Sequence, residues 1–365
     1  MNTLAKINKT VNSVAGEAIP RGKLRRFYLL VEQFSLKAFT SINSAGRACS
    51  TNRNTGETRI RRAVLDFNLT TLLEDTLVRK VFSRVSGYMF CSLDHSQFGP
   101  FCIAVLAVSF RKGRALPIWC QINLTQGALI QPLLLRLRQL FSELSVINPD
   151  LKLVLVMDRW FASKRLFDLF AKYSIYFIAR TKSDKKVRLP WDTSWQRTKV
   201  FEVSREEVEI VYCQHDLRLI RSTYNGDDRN DTDTDTDTEP WFLMTNLPAS
   251  PHKGSSDGFT RRQILNRYAE RFEIEEAFKD IKWLNRLEWQ QIKKPEVIHS
   301  LLTFVFFGRW LMWWVVAPEL RTKKKKRKIK THKKKQISWF KEAWEYLERL
   351  RHVNILSHSL LGEEK

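Results

Sequence analysis

Three acidic residues, far apart in the chain, stand where side chains can do chemistry: Asp94, Asp158 and Glu275. GYMFCSLD (87–94) is a strand-length run that ends on Asp94. LKLVLVMD (151–158) is a near-continuous apolar run of the buried-parallel-strand type, and it ends on Asp158. Glu275 lies in TRRQILNRYAERFEIEEAFKDIKWL (260–284), which is rich in helix formers and has no internal Gly or Pro. At about 100° per residue, Ile274, Ala277, Phe278, Ile281 and Leu284 make the core side of that helix. Arg271, Glu275 and Lys282 form a stripe with Tyr268 along one edge of it. Glu270, Glu273, Glu276 and Asp280 lie off the stripe, so Glu275 is the carboxylate aimed at the boundary between core and solvent. Arg271 precedes it by one turn. Carboxylate oxygens are the ligands that hard divalent cations take. Arginine and lysine beside them are phosphate-binding groups. By itself the helix reads first as a surface helix laced with i,i+4 ion pairs. Asp158 also reads as a helix N-cap and Asp94 as a plain loop residue, with Asp66 and Asp168 as rival acids. His95 reads as an exposed loop histidine, because Mg²⁺ disfavours imidazole.

The elements that must position these acids follow from periodicity. FCIAVLAVSF (101–110) and LPIWCQINL (116–124) read as strands joined by a turn at RKG (111–113). PLLLRLRQLFSEL (132–144) and ASKRLFDLFAKY (162–173) have helical spacing, and SIYFIART (174–181) is another strand. The order is β-β-β-α-β-α-β, that of an α/β RNase H-like mixed sheet. In that topology the first and fourth strands are parallel neighbours, which sets Asp94 and Asp158 side by side. Residues 185–247 read as a β-rich insertion before the last catalytic helix, with strands at 199–213, 218–225 and 241–247. Its DDRNDTDTDTDTE stretch (227–239) is an acidic low-complexity loop. The expected organisation is a helical, basic region at 1–80, read equally as a DNA-end-binding module or as a basic solvated face, and an RNase H-like domain at 81–184 and 248–318. The insertion lies between the two halves of that domain, and a lysine-rich tail with a C-terminal helix occupies 319–365.

The net charge is +23, from 62 basic and 39 acidic residues, which predicts a polyanionic partner, nucleic acid before an anionic membrane. The five cysteines form no CxxC pair and are odd in number. That argues against a disulfide framework and against a zinc site built from cysteines, and fits a reducing cytosol or nucleus. The first residues carry no apolar signal-peptide core. LLTFVFFGRWLMWWVVA (301–317) is apolar, but Arg309 at its centre predicts a buried helix of a soluble core instead of a membrane span. RTKKKKRKIKTHKKK (321–335) reads as a segment that binds DNA backbone non-specifically, and ISWFKEAWEYLERLRH (337–352) as an amphipathic helix for self-association. Trp191 and Trp195, in the insertion, read as core packing.

The spacing Y-x2-R-x3-E-x6-K at Tyr268, Arg271, Glu275 and Lys282 resembles the signature of the IS-four family of bacterial insertion-sequence transposases. MDRWF (157–161) is similar to that family's second-aspartate motif, SLDHS (92–96) more loosely to its first, and LMTNLP (243–248) fits just before the signature. The resemblance covers roughly residues 87–316. It implies an RNase H-like fold and a DNA transposase of the DDE type. Asp94, Asp158 and Glu275 then match the catalytic, metal-holding positions, and Tyr268, Arg271 and Lys282 match contacts to the terminal phosphates. It also implies two Mg²⁺ ions, with Mn²⁺ as substitute, and hydrolysis followed by attack of the freed 3′-hydroxyl. The implied partner is double-stranded DNA, both the element's terminal inverted repeats and the target, bound by a homodimer in the bacterial cytosol. In relatives that cut through a hairpin, an aromatic residue in the insertion stacks on a flipped base, and Trp191 or Trp195 would serve. The competing reading is a catalytically inactive or nuclease-only DNA-binding derivative.

Overall fold

The computed structural model describes residues 3–36, 41–50, 52–109, 115–125, 127–202, 207–222, 241–250, 258–284 and 292–318. The RKG turn, the acidic repeat, the lysine-rich tail and the C-terminal helix expected at 337–352 lie outside the described residues. The chain begins with five helices: α1 (Thr3–Ala18), α2 (Leu24–Leu30), α3 (Ile42–Cys49), α4 (Arg53–Val64) and α5 (Phe67–Phe82). There follow strands β1 (Gly87–Phe98), β2 (Phe101–Ser109) and β3 (Ala115–Asn123), helix α6 (Ile130–Ile147), strand β4 (Leu151–Met157), helix α7 (Lys164–Lys172) and strand β5 (Tyr176–Thr181). Short strands β6 (Lys186–Val187) and β7 (Gln196–Arg197) precede β8 (Glu207–Tyr212), β9 (His215–Arg221) and β10 (Phe242–Thr245). Helices α8 (Arg261–Ala269), α9 (Phe272–Leu284) and α10 (Pro295–Leu311) complete the described chain.

The strands form an eight-stranded mixed sheet in the order β3-β2-β1-β4-β5-β10-β9-β8, flanked by helices. This is the expected RNase H-like order. β1, β4 and β5 are parallel, and β5, β10, β9 and β8 alternate in direction. The strands of the 185–247 segment thus extend the same sheet beyond β5, while β6 and β7 pair only with each other. The 199–213 run is shorter as a strand than its alternation suggests, because Thr198–Glu202 coils into a 3₁₀ turn before β8.

The chain divides into two compact units. One contains Val85–Asp94 and Leu134–Phe272. Its core joins Phe90, Val154, Val156, Ile178, Ile220 and Leu243 from five strands to Ile264 and Tyr268 of α8. The central strands are apolar on both faces, as parallel strands covered by helices must be.

The other unit contains residues 1–84, 95–133 and 273–365. Its axis is α10, which starts on Pro295 at a helix N-terminus, where the missing N–H costs nothing, and is buried from Val297 to Leu311 apart from His299. With the π turn that follows it, α10 is long and apolar enough to cross a bilayer, yet it serves as the core helix of this unit. Arg309 is 1% exposed, and its guanidinium donates to Asp280 Oδ2 at 3.2 Å, so the buried cation has its counter-ion inside the protein. Trp310 Nε1 donates to the Pro117 carbonyl at 2.7 Å and Ser35 Oγ to the Phe304 carbonyl at 2.6 Å. Gly308 permits that second approach: a Cβ there would sit 2.5 Å from the Ser35 carbonyl oxygen.

Candidate active site

The β1–β4 register ends at Leu93 opposite Met157, so Asp94 and Asp158 are the next residues on two adjacent parallel strands. The expected juxtaposition of these acids is therefore present. Two details differ from the sequence reading. β1 does not end on Asp94 but runs on to Phe98, which places Asp94 within a strand and His95 half-buried in it, neither in a loop. Asp158 occupies the N-cap position of a 3₁₀ turn, Arg159–Phe161, but its side chain makes no capping bond. Its carboxylate thus remains available for other chemistry.

Asp94 is 6% exposed and its carboxylate is paired with the guanidinium of Arg271, itself 5% exposed. A carboxylate so far from water requires a cation. Arg271 supplies it, from the turn between α8 and α9. That turn was not foreseen: the 260–284 segment is two helices, interrupted at Glu270 and Arg271. Neither glycine nor proline marks the break. The Arg271 N–H bonds back to the Tyr268 carbonyl at 2.9 Å in a tight turn, and the side chain is committed to Asp94. Tertiary pairing overrides helix propensity here.

Tyr268 shares this neighbourhood but is fully buried, its ring edge-on to Trp241 at 5.2 Å. Burial pushes its hydroxyl pKa up to about 12; the charge of Arg271 opposes that rise, Asp158 adds to it, and Arg180 opposes it. The same field thus couples Tyr268 to one aspartate and two arginines. Arg180, on β5, is marked in the sequence only as a lone arginine in the apolar run SIYFIART.

In the other unit, Glu275 stands half-buried in the first turn of α9. The helix buries Ile274, Ala277, Phe278 and Ile281, the face the periodicity predicts. Phe278 packs edge-on against Phe98 at 6.2 Å, and Lys282 Nζ lies 5.2 Å from the centre of the same ring. Lys282 is two turns beyond Glu275, on the same side of α9. Tyr268 and Arg271 precede the break, so the single four-residue stripe of a continuous helix does not form.

The start of α8 is fixed by Arg218, another residue that the sequence did not disclose. It is 8% exposed; its side chain donates to Glu207 Oε1 at 2.6 Å and to the carbonyls of Leu247, Pro248 and Phe259, each at 3.0 Å. Within LMTNLP, Thr245 and Asn246 stitch β10 to β5: Asn246 Oδ1 accepts from Phe177 N–H at 2.8 Å and Nδ2 donates to the Ile175 carbonyl at 3.0 Å. Thr260 then caps α8 through a reciprocal bond with Gln263.

The rival acids have other partners. Asp66 accepts from Lys23 at 2.6 Å and Arg26 at 2.9 Å, and Asp168 from Lys164 and His215, both at 2.9 Å. Trp191 and Trp195 are 67% and 55% exposed, which overturns core packing as their role.

Two carboxylates that follow the last paired residues of adjacent parallel strands, one of them facing a cation, are a donor set suited to a hard divalent ion. A family model for the transposase DDE domain matches residues 107–311, more than half of the chain. The match spans Asp158, Tyr268, Arg271, Glu275 and Lys282, and begins after Asp94. No curated protein matches the sequence significantly.

Proposed function

The chain belongs to the transposase DDE domain family, and from that premise we propose that it hydrolyses DNA at the ends of a mobile element and joins the freed 3′-hydroxyls to target DNA. Membership implies a DNA substrate, nuclease and transesterase chemistry, and a divalent metal. The observation that carries the finer reading is the placement of Asp94 and Asp158 on neighbouring parallel strands, with Arg271 against the first.

In this reading Asp94, Asp158 and Glu275 hold Mg²⁺, or Mn²⁺ in its place. A metal held by these carboxylates would supply charge stabilisation for the attacking and leaving oxygens of an in-line displacement at phosphorus. The protein's own groups do the rest. Arg271 neutralises Asp94 in the free protein and is the guanidinium nearest to a phosphate arriving at that carboxylate, where it can bind two oxygens at once. Lys282 offers a point charge two turns from Glu275. Tyr268, being fully buried, lies beside Arg271 and would act on phosphate through that guanidinium. Trp191 and Trp195 stand exposed, as base stacking requires. No covalent intermediate on the protein is needed, because water attacks first and the 3′-hydroxyl second. The net charge of +23 suits a duplex partner, and binding should weaken steeply as salt rises. The element type is IS-four, the substrates are its terminal inverted repeats and target duplex, the assembly is a homodimer on DNA, and the compartment is the bacterial cytosol.

The test separates joining from cutting. Full-length protein is given Mg²⁺, a supercoiled plasmid and a duplex that ends in the inverted repeat with a free 3′-hydroxyl. The expected products are plasmids carrying the covalently attached end, and a dideoxy 3′-end should yield none. Plasmid that is nicked but never joined would make the protein a nuclease and reject the reading.

A further inference from the structure

We propose that Glu74, Cys120 and His299 form a second metal site, for a zinc-class transition ion, built from residues other than Asp94, Asp158 and Glu275. Among the described residues this trio places one ligand atom from each member within 4.8 Å of the others. Tetrahedral zinc with bonds of 2.0–2.3 Å needs its ligand atoms about 3.5 Å apart, a spacing that lies between the 2.9 Å of the Glu74–His299 pair and the 4.8 Å limit of the trio. A thiolate, an imidazole and a carboxylate suit that borderline ion and suit Mg²⁺ poorly. Three protein ligands leave a fourth position for water.

The three residues come from three elements, α5, β3 and α10, and those elements are fastened together around them. Thr70 of α5 donates to Ser300 of α10 at 3.1 Å, and Trp310 of α10 donates to the Pro117 carbonyl of β3 at 2.7 Å. The Cys120 backbone N–H donates to Glu74 Oε1 at 3.4 Å, an orienting bond of the kind that metal ligands carry. Glu74 is fully buried and Cys120 nearly so, while the His299 side chain is 30% exposed, so an ion would arrive from the histidine side.

The buried Glu74 carboxylate lies 2.9 Å from His299 Nε2, so two of the three ligand groups already face each other. Binding Zn²⁺ through a neutral imidazole and a thiolate would displace to solvent the protons that these two groups carry.

The experiment uses the full chain, stripped with chelator and re-equilibrated with Zn²⁺ or, separately, Co²⁺. The wild type should retain about one zinc per chain, melt at higher temperature with zinc than without, and show a thiolate-to-cobalt charge-transfer band. Cys120→Ser should lose the band and weaken zinc binding about a hundredfold or more. Asp158→Asn should keep both, which separates this site from the transposase reading. Glu74→Gln, close in shape to the native residue, serves if Cys120→Ser fails to fold, and it too should lose the band. A wild type with neither retained zinc nor band would overturn the proposal and leave a buried ion pair only. Zinc or a cobalt band undiminished in either variant would overturn it as well.

Discussion

Glu275→Gln should abolish Mg²⁺-dependent nicking at the element end while leaving DNA binding within about twofold of wild type. Glutamine preserves the length and one acceptor oxygen, and the first turn of α9 is tied down by the buried Ile274 and Ala277, so the fold should not change. What disappears is the charge. A metal-held displacement draws several kcal/mol of stabilisation from its ion, and each 1.4 kcal/mol is roughly tenfold in rate. Loss of one of three carboxylates should therefore slow nicking about a thousandfold or more. DNA affinity rests on the arginines and lysines and should not follow. Gel-shift and single-turnover cleavage of the same labelled duplex separate the two effects. Cleavage near the wild-type rate would remove Glu275 from the site.

The largest effect on stability should come from Arg218→Met. Methionine restores apolar bulk but none of the hydrogen bonds. The Leu247 carbonyl would lose its donor, at about 1–3 kcal/mol if kept from water, while Pro248 and Phe259 keep the backbone N–H groups of Phe259 and Ser250. Glu207, whose side chain is 32% exposed, can recover part of its hydration and should contribute less. The net cost should be about 2 kcal/mol, a fall in melting temperature of roughly 6 °C. Activity should fall with it, because Phe259 immediately precedes the cap of the helix that carries Tyr268. Calorimetry of the two proteins under one buffer checks this, and a shift of only about 1 °C would show that the Leu247 carbonyl finds water instead.

The parts that were legible in the sequence depend on periodicity. The apolar strands GYMFCSLD and LKLVLVMD, the amphipathic face of Ile274, Ala277, Phe278 and Ile281, and the buried helix around Arg309 all follow from patterns of two or 3.6 residues. The pairing of Asp94 with Asp158 followed because few topologies connect strands in that order. The residues that were missed act through long-range polar bonds, which leave no periodic trace. Arg218 reads as an ordinary strand cation until the three carbonyls around it are seen. The break at Glu270 and Arg271 was invisible because every residue there favours a helix, and only the buried partner Asp94 explains the turn. Trp191 and Trp195 were misplaced for a related reason. Tryptophan usually finds cover, and whether a short loop can supply it is a property of the loop's surroundings.

The most direct test of the central claim exchanges the chemistry of one ligand. Asp158→Cys puts a soft thiolate where the carboxylate stood. Thiolate is a poor ligand for Mg²⁺ and a better one for softer divalent ions, while Mn²⁺ accepts both kinds of site. Nicking of the element-end duplex should be lost in Mg²⁺ and substantially restored in Mn²⁺, with the wild type active in both. Wild-type nicking by Asp158→Cys in Mg²⁺ alone would mean that Asp158 holds no metal, and the account of this site would fail.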